Sequence, residues 1–210
     1  VLEGGLKQAA SLLQAGDHQA AIDVLTTLEA AGGESPDFWQ LVALAHKGLD
    51  QLGEAEASYL KSLALNPQPH VATNLANLYK QQGRFDEAEN RYQQALGADP
   101  NNLPALVNYG QLLMDVKRAD AAANQFSAVL EIRPEHVNAR IGLGQALQQL
   151  GDQQGAVGLF QEVLAEHKNN AAALNGLGIS LKTMGYADEA VHSLRRAHEA
   201  APNSADVLLN

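Results

Sequence analysis

An alanine returns on a nearly fixed beat along this chain. Ala21, Ala55, Ala88, Ala122, Ala156 and Ala190 stand 34, 33, 34, 34 and 34 residues apart. Four residues after each comes a larger apolar side chain: Leu25, Tyr59, Tyr92, Phe126, Phe160 or Leu194. Twelve before each stands a small one: Ala9, Ala43, Ala76, Gly110, Gly144 or Gly178. Twelve after come Pro67, Pro100, Pro134 and Pro202, with Gly33 and Lys168 as the exceptions. A period in this range marks stacked units, each burying its apolar face only against its neighbours. It predicts an all-α solenoid of helix pairs.

The third unit shows how the pattern folds. Ala72, Leu75, Ala76 and Tyr79 are spaced as one helical stripe, predicting a first helix near Val71 to Gln82. Gly83 ends it, as a residue that accepts left-handed φ. Phe85 is expected to fill the space under the turn. Asp86 and Glu87 open the second helix, where negative charge suits the dipole. Ala88, Tyr92, Ala95 and Leu96 form its stripe, and Asp99-Pro100 closes it because the residue before proline avoids the helical region. Ala76 and Ala88 are small where two antiparallel helices cross, and Tyr92 is the matching large residue that fills the gap between units.

The run from Asn74 to Pro100, NLANLYKQQGRFDEAENRYQQALGADP, resembles the tetratricopeptide repeat. The resemblance covers nearly the whole chain and implies a right-handed α-solenoid, read as one domain. Its units fall near 2–34, 36–68, 69–102, 103–136, 137–170 and 171–204, and 205–210 reads as the start of a truncated seventh. Some units depart from the pattern. The first carries Gly4, Gly5 and Gln8 where apolar residues belong, and reads as a frayed cap. The second has His46 in place of a tyrosine or leucine. The fifth holds Gly142, Gly144, Gly151, Gly155 and Gly158 and lacks its proline. Interior helical glycine costs about 0.5–1 kcal/mol relative to alanine, so the fifth unit reads as the softest interior part.

No constellation for catalysis stands out. None of the seven histidines makes an HExxH pair, and the acidic pairs Asp86-Glu87 and Asp188-Glu189 open helices. The segment reads as a non-enzyme without cofactor or metal. It has no cysteine, which excludes disulfides and thiolate sites. Its net charge of −10 argues against a nucleic-acid partner. No apolar run reaches membrane-span length. A cytoplasmic location is expected, with the periplasm left open. A chain beginning at Val1 suggests a piece of a longer protein.

Solenoids bind on their concave face. The resemblance implies that the first helix of each unit lines it, so its outward stripe follows from helical spacing. That stripe contains Gln40 and Lys47 in the second unit and His70, Thr73, Asn74, Asn77 and Lys80 in the third. It continues with Asn108, Gln111 and Met114 in the fourth, Ile141, Gln145 and Gln148 in the fifth, and Asn175, Ile179 and Lys182 in the sixth. Amides dominate, and each offers a donor and an acceptor to an extended main chain. Asn74 and Asn108 hold one repeat position and resemble the asparagine ladder of O-linked N-acetylglucosamine transferases. Leu41, Gly142 and Gly176 interrupt it. A clamp for an acidic carboxy-terminal tail fits less well, because the fourth and fifth units supply no stripe lysine. Three roles remain open. One is a scaffold that holds a partner peptide or helix. Another is the substrate-recruiting arm of a larger bacterial glycosyltransferase or sulfotransferase. The third is a self-assembly module stacking through exposed ends such as Leu208 and Leu209, giving a homo-oligomer.

Overall fold

The computed structural model of the chain describes residues 2–202; the expected seventh unit, with Leu208 and Leu209, lies outside the described residues. Every regular element among them is a helix, twelve in all, joined by short turns. They form two compact units, Val1–Ala105 and Leu106–Asn210. The first unit holds α1 (Leu2–Gln14), α2 (His18–Gly32), α3 (Pro36–Gly48), α4 (Leu52–Leu65), α5 (Pro69–Gln81) and α6 (Phe85–Ala98). Helix α7 (Leu103–Asp115) starts at the boundary. The second unit continues with α8 (Ala119–Ile132), α9 (Val137–Leu150), α10 (Gln153–Glu166), α11 (Ala171–Thr183) and α12 (Ala187–Ala200). Each helix packs on the next within its unit, and first helices also touch across pairs, α1 on α3 and α9 on α11.

The helix ends follow local chemistry. Pro36 and Pro69 open α3 and α5, where a missing N–H costs nothing. Asp17, Ser35, Asp152 and Asn170 cap α2, α3, α10 and α11 by accepting backbone N–H bonds. His136 does the same for α9 through Nδ1, at 3.2 Å from the Ala139 nitrogen. The turn inside each pair needs one residue with positive φ. Gly16, Gly83, Gly151 and Gly185 supply it, at φ between 74° and 90°. At the same repeat position Asp50 and Lys117 adopt φ 58° and 63°. A side chain there is strained, by about 1–2 kcal/mol.

The beat of small and large residues is the core. All six alanines of the beat are buried, and Tyr59, Tyr92, Phe126 and Phe160 are at most 1 % exposed. The glycines of the fifth unit have distinct tasks. A Cβ on Gly142 would stand 2.6 Å from the Phe126 ring, and one on Gly144 2.8 Å from Phe160. Gly110 and Gly176 press on the same two rings in the same way. These are packing positions, where the missing side chain makes room for a ring. Gly158 is the contrast, with nothing within 4 Å of its would-be Cβ. Phe85 is the first residue of α6 and 39 % exposed, so it is partly covered rather than a fully buried core residue.

A polar network joins the second and third helix pairs. Arg84, in the α5–α6 turn, donates to both carboxylate oxygens of Glu56 on α4 and to both of Glu87 on α6. Its guanidinium lies 4.2 Å from the centre of the Tyr79 ring, whose hydroxyl donates to Glu56 at 3.0 Å. The Arg84 bonds hold the Glu56 carboxyl below the usual carboxylate range, against the opposing effect of burial. A depressed carboxyl adds stability that is present above its unfolded pKa and is lost as pH falls through the folded value. Glu56→Gln should therefore lower the urea midpoint at pH 7. Titrated downward, the gap between wild type and variant should close as pH falls through the lowered folded value. Parallel midpoints across that range would show that the network does not stabilise the fold.

Candidate functional site

The predicted stripe divides between two cavities, one in each compact unit. In the first unit a cavity of about 400 Å³ is lined by His70, Thr73 and Asn74 of α5. Asn101 and Asn102, from the segment leading into α7, and Pro104, in the first turn of α7, close it. His70 Nε2 is 3.0 Å from Gln40 Oε1, so two predicted residues from neighbouring pairs meet here. Thr73 requires a correction. It is 3 % exposed and its hydroxyl donates to the Pro69 carbonyl at 2.9 Å, so it forms wall rather than ligand. Asn77 is likewise engaged, its Oδ1 accepting the Tyr92 hydroxyl proton.

In the second unit a cavity of about 660 Å³ is lined by the last turns of three first helices. Gln111 and Met114 come from α7, Gln145 and Gln148 from α9, and Ile179 from α11. Every one lies on the predicted stripe. Met114 is 7 % exposed and gives the cavity an apolar floor. Ile141 of that stripe is buried in the core instead, with Phe160 and Val163. Gln148 Nε2 donates to the Gly176 carbonyl and to Ser180 Oγ, both at 2.8 Å, which ties α9 to α11 and fixes that amide. Gln111 donates to Asp115 at 3.2 Å. Gln153 also lines the cavity, and its Oε1 is a buried acceptor with no hydrogen-bond partner. Such an orphan calls for an explanation. Lys47, Asn77, Lys80, Asn108, Asn175 and Lys182 line neither cavity.

Two charged residues here escape a helical-stripe argument. Asp115 ends α7, and Lys117 sits in the turn beyond it; both line the cavity. The fourth unit does bring a lysine to this face, from the turn rather than the stripe. The signal available in sequence was the repeat position itself, glycine in four units and Lys117 in this one. Strained backbone of this kind clusters at functional sites.

Gly142 and Gly176 stand in the fifth and sixth units at the repeat position of Asn74 and Asn108, and there the tips of Phe126 and Phe160 leave no room for a side chain. The units with Asn74 and Asn108 follow helices carrying Tyr59 and Tyr92. Among the described residues no three His, Asp or Glu side chains converge as a metal site, and no helix is long and apolar enough to cross a membrane.

Comparison with known proteins fits this architecture. Residues 72–206 match the family model of the cilia and flagella-associated protein 70 middle TPR-like domain. Residues 6–68 match a tetratricopeptide repeat model. The chain belongs to the tetratricopeptide repeat family. This repeat protein is an all-α solenoid of helix pairs, and its solved structural relatives share the fold at low identity. PilF of Pseudomonas aeruginosa superposes with a TM-score of 0.83 at 18 % identity, covering 99 % of this chain and 95 % of that one. A tetratricopeptide repeat protein from Parabacteroides merdae gives 0.81 at 20 % identity, covering 98 % and 82 %. YrrB, described as a TPR protein with an unusual peptide-binding site, gives 0.74 at 20 % identity, covering 88 % and 96 %. No curated protein sequence matches the chain. The fold is that of a protein-interaction scaffold, typically non-catalytic.

Proposed function

We propose that the second-unit cavity holds an extended peptide segment of a partner protein. The observation that carries this reading is the convergence of Gln111, Gln145 and Gln148 from three first helices around Met114 and Ile179. Amides pair with peptide N–H and C=O groups whatever the sequence, and the apolar floor takes one side chain. The strained backbone of Lys117 at the cavity rim supports it, because such conformations cluster at functional sites.

Lys117→Gly separates binding from folding. It should raise stability by about 1 kcal/mol, because glycine removes the left-handed strain. It should weaken peptide binding at the same time. Peptides selected from a displayed random twelve-residue library against the wild-type chain supply the probe. Their affinity, measured by fluorescence polarisation, should fall at least about tenfold when Gln111 and Gln145 are both changed to alanine, a loss of about 1.4 kcal/mol or more. If both variants bind as wild type while circular dichroism shows an intact fold, the peptide site lies elsewhere.

A further inference from the structure

Trp39 is the one tryptophan of the chain and lines neither cavity described above. It stands on α3, and two contacts set the plane of its ring. The indole N–H donates to the Gly33 carbonyl at 2.8 Å, and the Phe38 ring meets it edge-on with centroids 5.1 Å apart. The ring lines a separate cavity of about 320 Å³ formed by α2, α3 and α4. Ile22, Leu25 and Val42 give it an apolar wall, and two carboxylates stand in its lining, Glu29 from α2 and Glu54 from α4. One cation already lies there: the Lys61 ammonium of α4 sits 3.8 Å from the centre of the Trp39 ring.

We propose that this cavity is a socket for a lysine side chain of a partner protein, with Lys61 as its resident occupant. An ammonium over an indole face is held by the ring quadrupole. The aliphatic stem of a lysine suits the apolar wall, leaving its charged tip over the ring in a lining that also carries two carboxylates. Lys61 demonstrates that an alkylammonium fits over this ring. It reaches there from an exposed position on α4, so a rotamer change vacates the indole. His46 is the other basic lining residue, and its Nδ1 is engaged with Gln51 at 2.6 Å. The protein's net charge of −10 favours a basic segment over an acidic one. The socket shares no lining residue with the peptide cavity.

Trp39 fluorescence reads the socket directly, because no other tryptophan contributes. The probes are acetyl-Ala-Lys-Ala-amide, its norleucine counterpart and n-butylamine, titrated into the full chain. The lysine peptide should change Trp39 emission saturably, and the norleucine peptide should bind at least about threefold more weakly. Lys61→Ala should tighten the lysine peptide by about 2–5-fold by removing the competing ammonium. Glu29→Gln with Glu54→Gln should weaken it and flatten its dependence on salt. Equal binding of the norleucine peptide would reduce the cavity to an apolar pocket and overturn the proposal. So would unchanged affinity in Lys61→Ala, or n-butylamine binding as well as the peptide, which would assign the socket to free amines.

Discussion

Phe160→Ala should lower the stability of the chain by about 3–5 kcal/mol, the upper range for an aromatic truncation in a core. The ring is fully buried. Its neighbours include Gly144 on α9 and Gly176 on α11, where would-be Cβ atoms fall 2.8 and 2.4 Å from ring carbons. The cost of such a cavity depends on how far the surroundings collapse into it. Here part of the wall is helix backbone with no side chain to swing inward, so relaxation is limited and the cavity persists. Repeat arrays are stabilised by terms between neighbouring units. Amide exchange should therefore rise first in α9, α10 and α11, before other helices respond. Urea denaturation and hydrogen exchange test the two parts together. A loss under about 1 kcal/mol would mean that the helices close over the missing ring.

The same site gives a substitution whose sign depends on tertiary structure. By helix propensity, Gly176→Ala should stabilise by about 0.8–1 kcal/mol. The Phe160 ring opposes this, since the new Cβ would overlap its tip, and overpacking costs about 1–3 kcal/mol. The larger effect wins, and the variant should be destabilised. Gly158→Ala is the control. It lies in α10 with open space where its Cβ would go, so it should be stabilised by about 0.5–1 kcal/mol. Gly176→Ala combined with Phe160→Leu should be less damaging than the sum of the two, because leucine lacks the ring tip that collides. A coupling of about 1 kcal/mol or more is expected in that cycle. Additive losses would show that the glycine and the ring do not contact each other.

Much of the fold was legible because its cause is local and periodic. Ala76, Ala88, Tyr79 and Tyr92 are buried as their spacing predicted, and Gly83 takes the left-handed turn. Gln111, Met114, Gln145, Gln148 and Ile179 of the stripe line one cavity. Helical spacing misleads where a residue's environment comes from another element. Thr73 satisfies the helical spacing, yet its hydroxyl turns back to its own helix and its side chain is covered. Phe85 has the composition of a core residue but remains 39 % exposed at the start of α6. Lys117 was invisible to a helix-face argument because it projects from a turn.

The amino-acid sequence by itself determined the helix pairs, their turns and the large-and-small beat. Each follows from spacing within some thirty residues and from backbone preferences that need no distant partner. Only the tertiary structure decided what the glycines are for and which polar side chains remain available. A glycine facing a ring and a glycine facing solvent look alike in sequence. Whether an amide is spent on a neighbour or left to a ligand depends on a helix that returns thirty residues later. The Trp39 socket is the same case. Its ring, wall, carboxylates and resident ammonium come from three helices, and packing alone brings them together.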